Sequence, residues 1–238
     1  PASALFDGQF AIPTVDEVID VAHRYGRVLG RPIGVYPELK HPAYFASIGL
    51  DVAEILAATL RAHGLDRPEA SVFVQCFDAQ MLRRLAGELY VPLVQLVASV
   101  GSPYDQSLLT PAALRDISTY AEAIGPEKAL VIPRTQQGRL GEATPLVADA
   151  HDAGLAVHAW TFRSENAFLP DDLRRGTDPT ETGEDRAELG AFVAAGVDGV
   201  FADQPDVARM VVPDGHTLPA GRPGVVATSP TGGSLTLD

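Results

Sequence analysis

At 238 residues, with 46% hydrophobic and 21% charged residues, the chain has the composition of a globular protein of one or two domains. That excludes a disordered tail, a collagen-like repeat and a disulfide scaffold, and no apolar run approaches the roughly 20 residues of a membrane helix. A net charge of −13, from 18 basic and 31 acidic residues, offers nucleic acid a repulsive field and no basic patch. The single cysteine, Cys76, lies in the apolar run Val72-Phe73-Val74-Gln75-Cys76-Phe77 and reads as a buried, unreactive thiol. The chain opens on Pro1-Ala2-Ser3 without an initiator Met or a signal peptide, and is expected to continue something longer.

Short β-type runs alternate with amphipathic helical runs. Thr14 and Glu17 make a capping box after Pro13, and Val15, Val18, Ile19 and Ala22 recur at helical spacing. A helix is therefore expected over 14–25, stopped by Gly26. A strand follows at 32–38, a helix at 52–63, a strand at 71–77, a helix at 78–89 and a strand at 92–97. Thr110 and Pro111 start a helix expected to reach Ile124, and the next strand is expected at 129–132. Thr144 and Pro145 repeat that device for a helix ending at Gly154. A strand at 155–161, a charged loop at 163–183, a helix at 185–195, a strand at 198–202 and a helix at 205–211 complete the series. Beyond Pro213, Gly, Pro, Ser and Thr dominate. The expected organisation is a domain over 1–212 and a tail over 213–238.

Six βα units in series imply a parallel sheet, either doubly wound or a (β/α)8 barrel. No glycine-rich nucleotide-binding turn follows the first strand. Polar residues recur instead at the C-terminal ends of strands: Glu38, Lys40, Gln75, Gln95, Arg134, Trp160, Arg163 and Asp203. Barrels build their sites from that rim. The expected fold class is thus α/β, a TIM barrel of which this chain supplies six of the eight βα units, with two strands preceding Pro1.

Strand periodicity puts Tyr36, Glu38 and Lys40 on one face of the run Gly34-Val35-Tyr36-Pro37-Glu38-Leu39-Lys40-His41-Pro42. A carboxylate beside an ammonium at a strand mouth suits phosphoryl chemistry. The carboxylate can hold a divalent cation, and the ammonium can offset charge on a phosphate oxygen. The same pair also reads as a plain ion pair at a strand end.

Five segments together resemble glycerophosphodiester phosphodiesterases, particularly their periplasmic and secreted branch. They are Phe6-Asp7-Gly8-Gln9-Phe10-Ala11-Ile12-Pro13-Thr14 with Glu17, Tyr36-Pro37-Glu38-Leu39-Lys40, Val74-Gln75-Cys76-Phe77-Asp78, Val157-His158-Ala159-Trp160-Thr161, and Gly196-Val197-Asp198-Gly199 with Asp203-Gln204-Pro205. The resemblance implies a (β/α)8 barrel that hydrolyses small-molecule glycerophosphodiesters to glycerol 3-phosphate and an alcohol with Ca²⁺ or Mg²⁺. It implies Glu38 as a metal ligand, Lys40 as the phosphate-facing catalytic cation and Trp160 as a wall of the substrate pocket. Gln75 and Gln95 are expected to bind substrate at the same rim. It also implies a secreted or periplasmic location.

The family's opening "HRG" and its "E-x-D" strand end are absent from this chain, so its histidine pair and two further metal carboxylates are expected upstream. Of the six histidines, His23, His63 and His151 fall in helices, His216 in the tail and His158 deep on a strand; His41 alone is near the rim. The alternative reading is a non-catalytic or split barrel that serves as a binding module, because an incomplete barrel leaves sheet edges unpaired.

Overall fold

The computed structural model of the protein describes residues 7–99 and 106–211; the expected tail over 213–238 lies outside them. Thr14 opens α1 (Val15–Leu29) with both halves of the capping box in place. The Glu17 N–H donates to Thr14 Oγ1 at 3.2 Å and the Thr14 N–H to Glu17 Oε2 at 2.7 Å. The helix does not stop at Gly26. That glycine stays helical where a Cβ would lie 3.1 Å from the Arg31 carbonyl oxygen, and the left-handed stop is Gly30, with φ 66°.

The remaining elements in chain order are α2 (Pro42–Ser47), α3 (Val52–Ala62), β1 (Val74–Cys76), α4 (Ala79–Leu85), β2 (Leu93–Val97), α5 (Pro111–Ile117), β3 (Ala123–Pro126), α6 (Lys128–Val131), α7 (Leu146–Asp152), β4 (Ala156–Phe162), α8 (Asp185–Ala194), β5 (Gly199–Ala202) and α9 (Pro205–Val211). Asp51, Asp78 and Thr110 cap α3, α4 and α5 by accepting backbone N–H bonds.

Two expectations are corrected around β3. Residues 129–132 belong to a helix and its exit, and the strand lies at Ala123–Pro126, inside the stretch read as the end of a helix. Leu114, Ile117, Ala121 and Ile124 fit helical spacing, so the pattern ran on. The real helix stops because the Ser118 and Thr119 hydroxyls take the Arg115 and Asp116 carbonyls. Ala129-Leu130-Val131-Ile132 is apolar because Val131 and Ile132 are buried in the core, and so short a run does not distinguish helix from strand.

The sheet is parallel throughout, five-stranded, in the order β1-β2-β3-β4-β5. The run expected as a first strand, 32–38, is extended alongside β1 but makes only isolated bridges, Val35 with Val72 and Glu38 with Gln75. Pro37 is the cause. The ladder proceeds through Val35 N–H to Ser71 O, Phe73 N–H to Val35 O, Gln75 N–H to Pro37 O and Leu39 N–H to Gln75 O. The rung due from position 37 is missing because proline has no N–H.

The sheet curls. Laid flat, six extended segments about 4.8 Å apart would separate Tyr36 and Phe201 by roughly 24 Å. Their rings instead meet edge to face at 4.9 Å. Tyr36 also stacks on Phe73 at 4.9 Å, and Phe73 packs with Val94 and Ala123 on the concave face. The convex face carries the larger core. There Leu93, Ile124, Val157 and Phe162 pack with Leu60, Leu85, Ile117 and Phe192 of the helices. This is the α/β architecture of a partly closed barrel. Helix α1 buries only Ile19, Ala22 and Gly26, and leaves Val15, Val18, Val21 and Tyr25 exposed.

Candidate active site

Glu38 and Lys40 sit together at the C-terminal end of the extended segment, with Lys40 Nζ 2.7 Å from Glu38 Oε2. The Glu38 side chain is 21% exposed and that of Lys40 68%, so the ammonium faces solvent and is free to swing toward an arriving anion. His41 follows with φ 50°, an uncommon left-handed turn for a side-chain-bearing residue, and swings the chain off the rim into α2. Gln75, on the neighbouring strand, bridges Glu38 through the backbone and is almost buried. Two residues further on, Phe77 meets Trp160 edge to face at 6.0 Å.

Trp160 shares the face of His158 by plain alternation, and β4 turns irregular beside it. Between Ala159, paired with Val200, and Phe162, paired with Ala202, β4 carries one residue more than β5. Such a bulge re-aims side chains next to sites. Trp160 stays on the concave face, with its indole N–H donating to Gly125 O at 2.6 Å. The extra residue turns Phe162 to the convex side, where it packs on Phe192 at 4.8 Å.

Trp160 lines a rim cleft of about 500 Å³ together with Glu127, Lys128, Arg134, Arg163 and Phe168. Arg163 pairs with Asp203 at 2.6 Å and lies 4.6 Å above the Phe168 ring. Lys128 is bound to both Glu188 oxygens at 2.8 and 2.9 Å. Glu127 accepts the Ser99 N–H and hydroxyl at 2.8 and 2.5 Å. The cleft is therefore lined by an indole, three cations and the carboxylates of Glu127 and Glu188; Lys128 and Arg163 are taken up in ion pairs, and Arg134 is, among the described residues, the cation left to meet a polar ligand.

The structure thus places Glu38, Lys40, Gln75 and Trp160 at strand ends of one rim, with Glu38, Lys40 and Gln75 together and Trp160 in a cleft that none of those three lines. Gln95 is not with them. It is fully buried and shares its strand face with Leu93, toward the helices. Its amide donates to Phe77 O at 2.9 Å and accepts the Tyr120 hydroxyl at 2.9 Å, so it fastens the end of β1 from behind. Glu127 and Lys128 were missed in the sequence because β3 was misplaced; residues directly after a strand at 123–126 would have been read as rim.

His158 is buried, with Nδ1 2.8 Å from the Tyr36 hydroxyl. Burial pushes its pKa down from 6.5 to about 4 and pushes the Tyr36 phenol up. The imidazole is therefore neutral at pH 7 and shares one hydrogen bond with the phenol through Nδ1. A lowered histidine pKa means that the unfolded chain binds more protons than the folded one between pH 6.5 and 4. Stability contributed above pH 6.5 is lost as pH falls through that window, to a ceiling of about 3 kcal/mol. The raised pKa of Glu188 works in the opposite sense, so the wild type is compared with His158→Phe. Urea unfolding across the window gives a steeper acid loss for the wild type; equal slopes contradict the assignment.

A curled parallel sheet with a polar, cation-bearing rim at its C-terminal edge defines the class, an α/β barrel-type protein. Residues 2–207 match the model of the Glycerophosphoryl diester phosphodiesterase family, and the chain belongs to that family. It is 30% identical over 217 residues to a glycerophosphodiester phosphodiesterase of Arabidopsis thaliana, a match covering 83% of this chain and 55% of the relative. To the glycerophosphodiester phosphodiesterase of Haemophilus influenzae it is 26% identical over 224 residues, covering 85% and 58%. The chain thus spans a little over half the length of these relatives. A crystal structure from Silicibacter pomeroyi, assigned as a glycerophosphoryl diester phosphodiesterase, superposes with a TM-score of 0.56 at 23% identity, covering 84% of this chain and 55% of that one. That likeness speaks for the fold.

Proposed function

We propose that this chain carries the Glu38–Lys40 side of a glycerophosphodiester phosphodiesterase site, in a protein that hydrolyses a glycerophosphodiester to glycerol 3-phosphate and an alcohol. The observation that supports it is the Glu38–Lys40 pair at the strand mouth, beside Gln75 and in a chain of this family. Lys40 donates to a non-bridging phosphoryl oxygen as charge grows there in the transition state. The Gln75 amide adds a neutral donor at the same rim. Trp160 packs against the glycerol or the leaving alcohol, and Arg134, which has no ion pair among the described residues, attracts an anionic substrate to the cleft.

Hydrolysis also needs a base for the water and an acid for the leaving alcohol. His158 does not serve: it is buried and bound to Tyr36. The proposal assigns these roles to the family's histidine pair, on the βα units that complete the barrel. Ca²⁺ or Mg²⁺ belongs to the proposal as well. Ca²⁺ takes about 6–8 oxygens and Mg²⁺ about six, and among the described residues Glu38 belongs to no cluster of three carboxylates or imidazoles. The described residues do not by themselves fit such a shell; Glu38 supplies one oxygen of it. No helix among the described residues is long and apolar enough to cross a membrane. A secreted or periplasmic location is proposed on the resemblance of Ile12-Pro13-Thr14 and Glu38-Leu39-Lys40 to that branch.

Phosphorus NMR of the full-length protein with a glycerophosphodiester tests the reading, the expected result being a phosphomonoester signal. Trp160→Ala lowers kcat/KM by roughly 10- to 100-fold, mainly through KM, the scale of losing one apolar wall. Trp160→Phe restores most of it. Unchanged kcat/KM in Trp160→Ala removes the indole from the substrate site. Binding of the diester without turnover by the wild type would instead favour the non-catalytic module.

A further inference from the structure

Away from the rim, on the outer surface, Asp20, His23 and His63 offer one oxygen and two nitrogens that all lie within 4.8 Å of one another. Asp20 and His23 are one turn apart on α1, so they share a face. His63 comes from the residue that closes α3. A fourth group stands beside them: Asp16, one turn before Asp20, lies 2.9 Å from His63 Nε2. The His23 and His63 rings are 6.4 Å apart and tilted by 56°.

We propose that Asp20, His23 and His63 form a transition-metal site, of the zinc type, that clips α1 to the end of α3. Two imidazoles and a carboxylate, with water in the fourth position, are a zinc ligand set. Imidazole nitrogen selects Zn²⁺, Co²⁺ or Ni²⁺ over Ca²⁺ and Mg²⁺, which seek oxygen. Ligand atoms around a tetrahedral zinc stand roughly 3.3 Å apart, so the three side chains need only small rotations. Asp20 and His23 are exposed and have room to make them. Asp16 remains as the carboxylate that orients the His63 ring, the usual partner of a metal-bound imidazole. The clip acts where the fold is thin, because α1 buries only Ile19, Ala22 and Gly26. It is independent of the site at Glu38 and Lys40.

The test is titration of the full-length protein with Zn²⁺ by calorimetry and with Co²⁺ by visible absorption, in the presence of about 10 mM Mg²⁺ to occupy oxygen-rich sites. One equivalent of metal is expected to bind, with Tm raised by roughly 5 °C or more at zinc 100-fold above Kd. His23→Ala and His63→Ala each weaken binding at least about 10-fold, the lower figure for loss even of an outer partner, and abolish the Tm rise. Asp20→Asn weakens it too, whereas Glu38→Gln leaves it unchanged. The proposal is overturned if the wild type binds no zinc up to about 1 mM, or if the double variant His23→Ala/His63→Ala binds as tightly as the wild type.

Discussion

Glu188→Ala is expected to destabilise the fold by about 3–5 kcal/mol, the cost of leaving a buried charge without its partner. The Glu188 side chain is 2% exposed and that of Lys128 16%, and both carboxylate oxygens hold the ammonium. The shifts run against those of a surface pair. Burial moves the Lys128 pKa down and the Glu188 pKa up, in each case outweighing the attraction of the partner. Taking the two charges from water thus costs more than their pairing returns, and the pair is held by the packing around it. With Glu188 gone, Lys128 keeps, among the described residues, the Phe168 carbonyl at 3.3 Å and the face of Phe162 at 5.4 Å. The double change Lys128→Met with Glu188→Leu removes both charges and is expected to recover most of the loss. Urea denaturation of the three proteins decides it; a single-variant loss under about 1 kcal/mol would mean that Lys128 escapes to solvent.

Lys40→Ala is expected to lower kcat/KM for a glycerophosphodiester by about 10²–10³-fold, the scale of removing one donor aimed at a developing oxyanion. Stability should hardly change, because the Lys40–Glu38 pair is solvent-facing and exposed pairs contribute little. That split between activity and stability separates a substrate-facing cation from a structural one. Lys40→Arg restores part of the rate, since it keeps the charge but spreads it over a planar fork. A loss under about 10-fold would return Lys40 to the plain ion pair that the sequence also allowed.

Helix starts were legible because their signals are local. The Thr14–Glu17 box and the Thr110-Pro111 start are read from adjacent residues and do not depend on the rest of the fold. Strands were harder. The 32–38 run has strand composition, yet Pro37 breaks its ladder, which matters only once a neighbour is known. The position of β3 turned on two hydroxyls that end α5 early. The site followed the same division. Glu38 and Lys40 lie two apart on one extended run, so their meeting needed only strand periodicity. Gln95 failed because all five residues of β2 are buried, and a strand covered on both faces carries no alternation to show which side is concave. Trp160 keeps its expected face, but the extra residue in β4 that turns Phe162 away from it left no mark in the sequence.

The most direct measurement of the central claim is glycerol 3-phosphate release from a glycerophosphodiester by the full-length protein, wild type against Glu38→Ala, each confirmed folded. The account predicts turnover by the wild type and a rate below about 1% of it for the variant. Glu38→Ala turning over as fast as the wild type would contradict it.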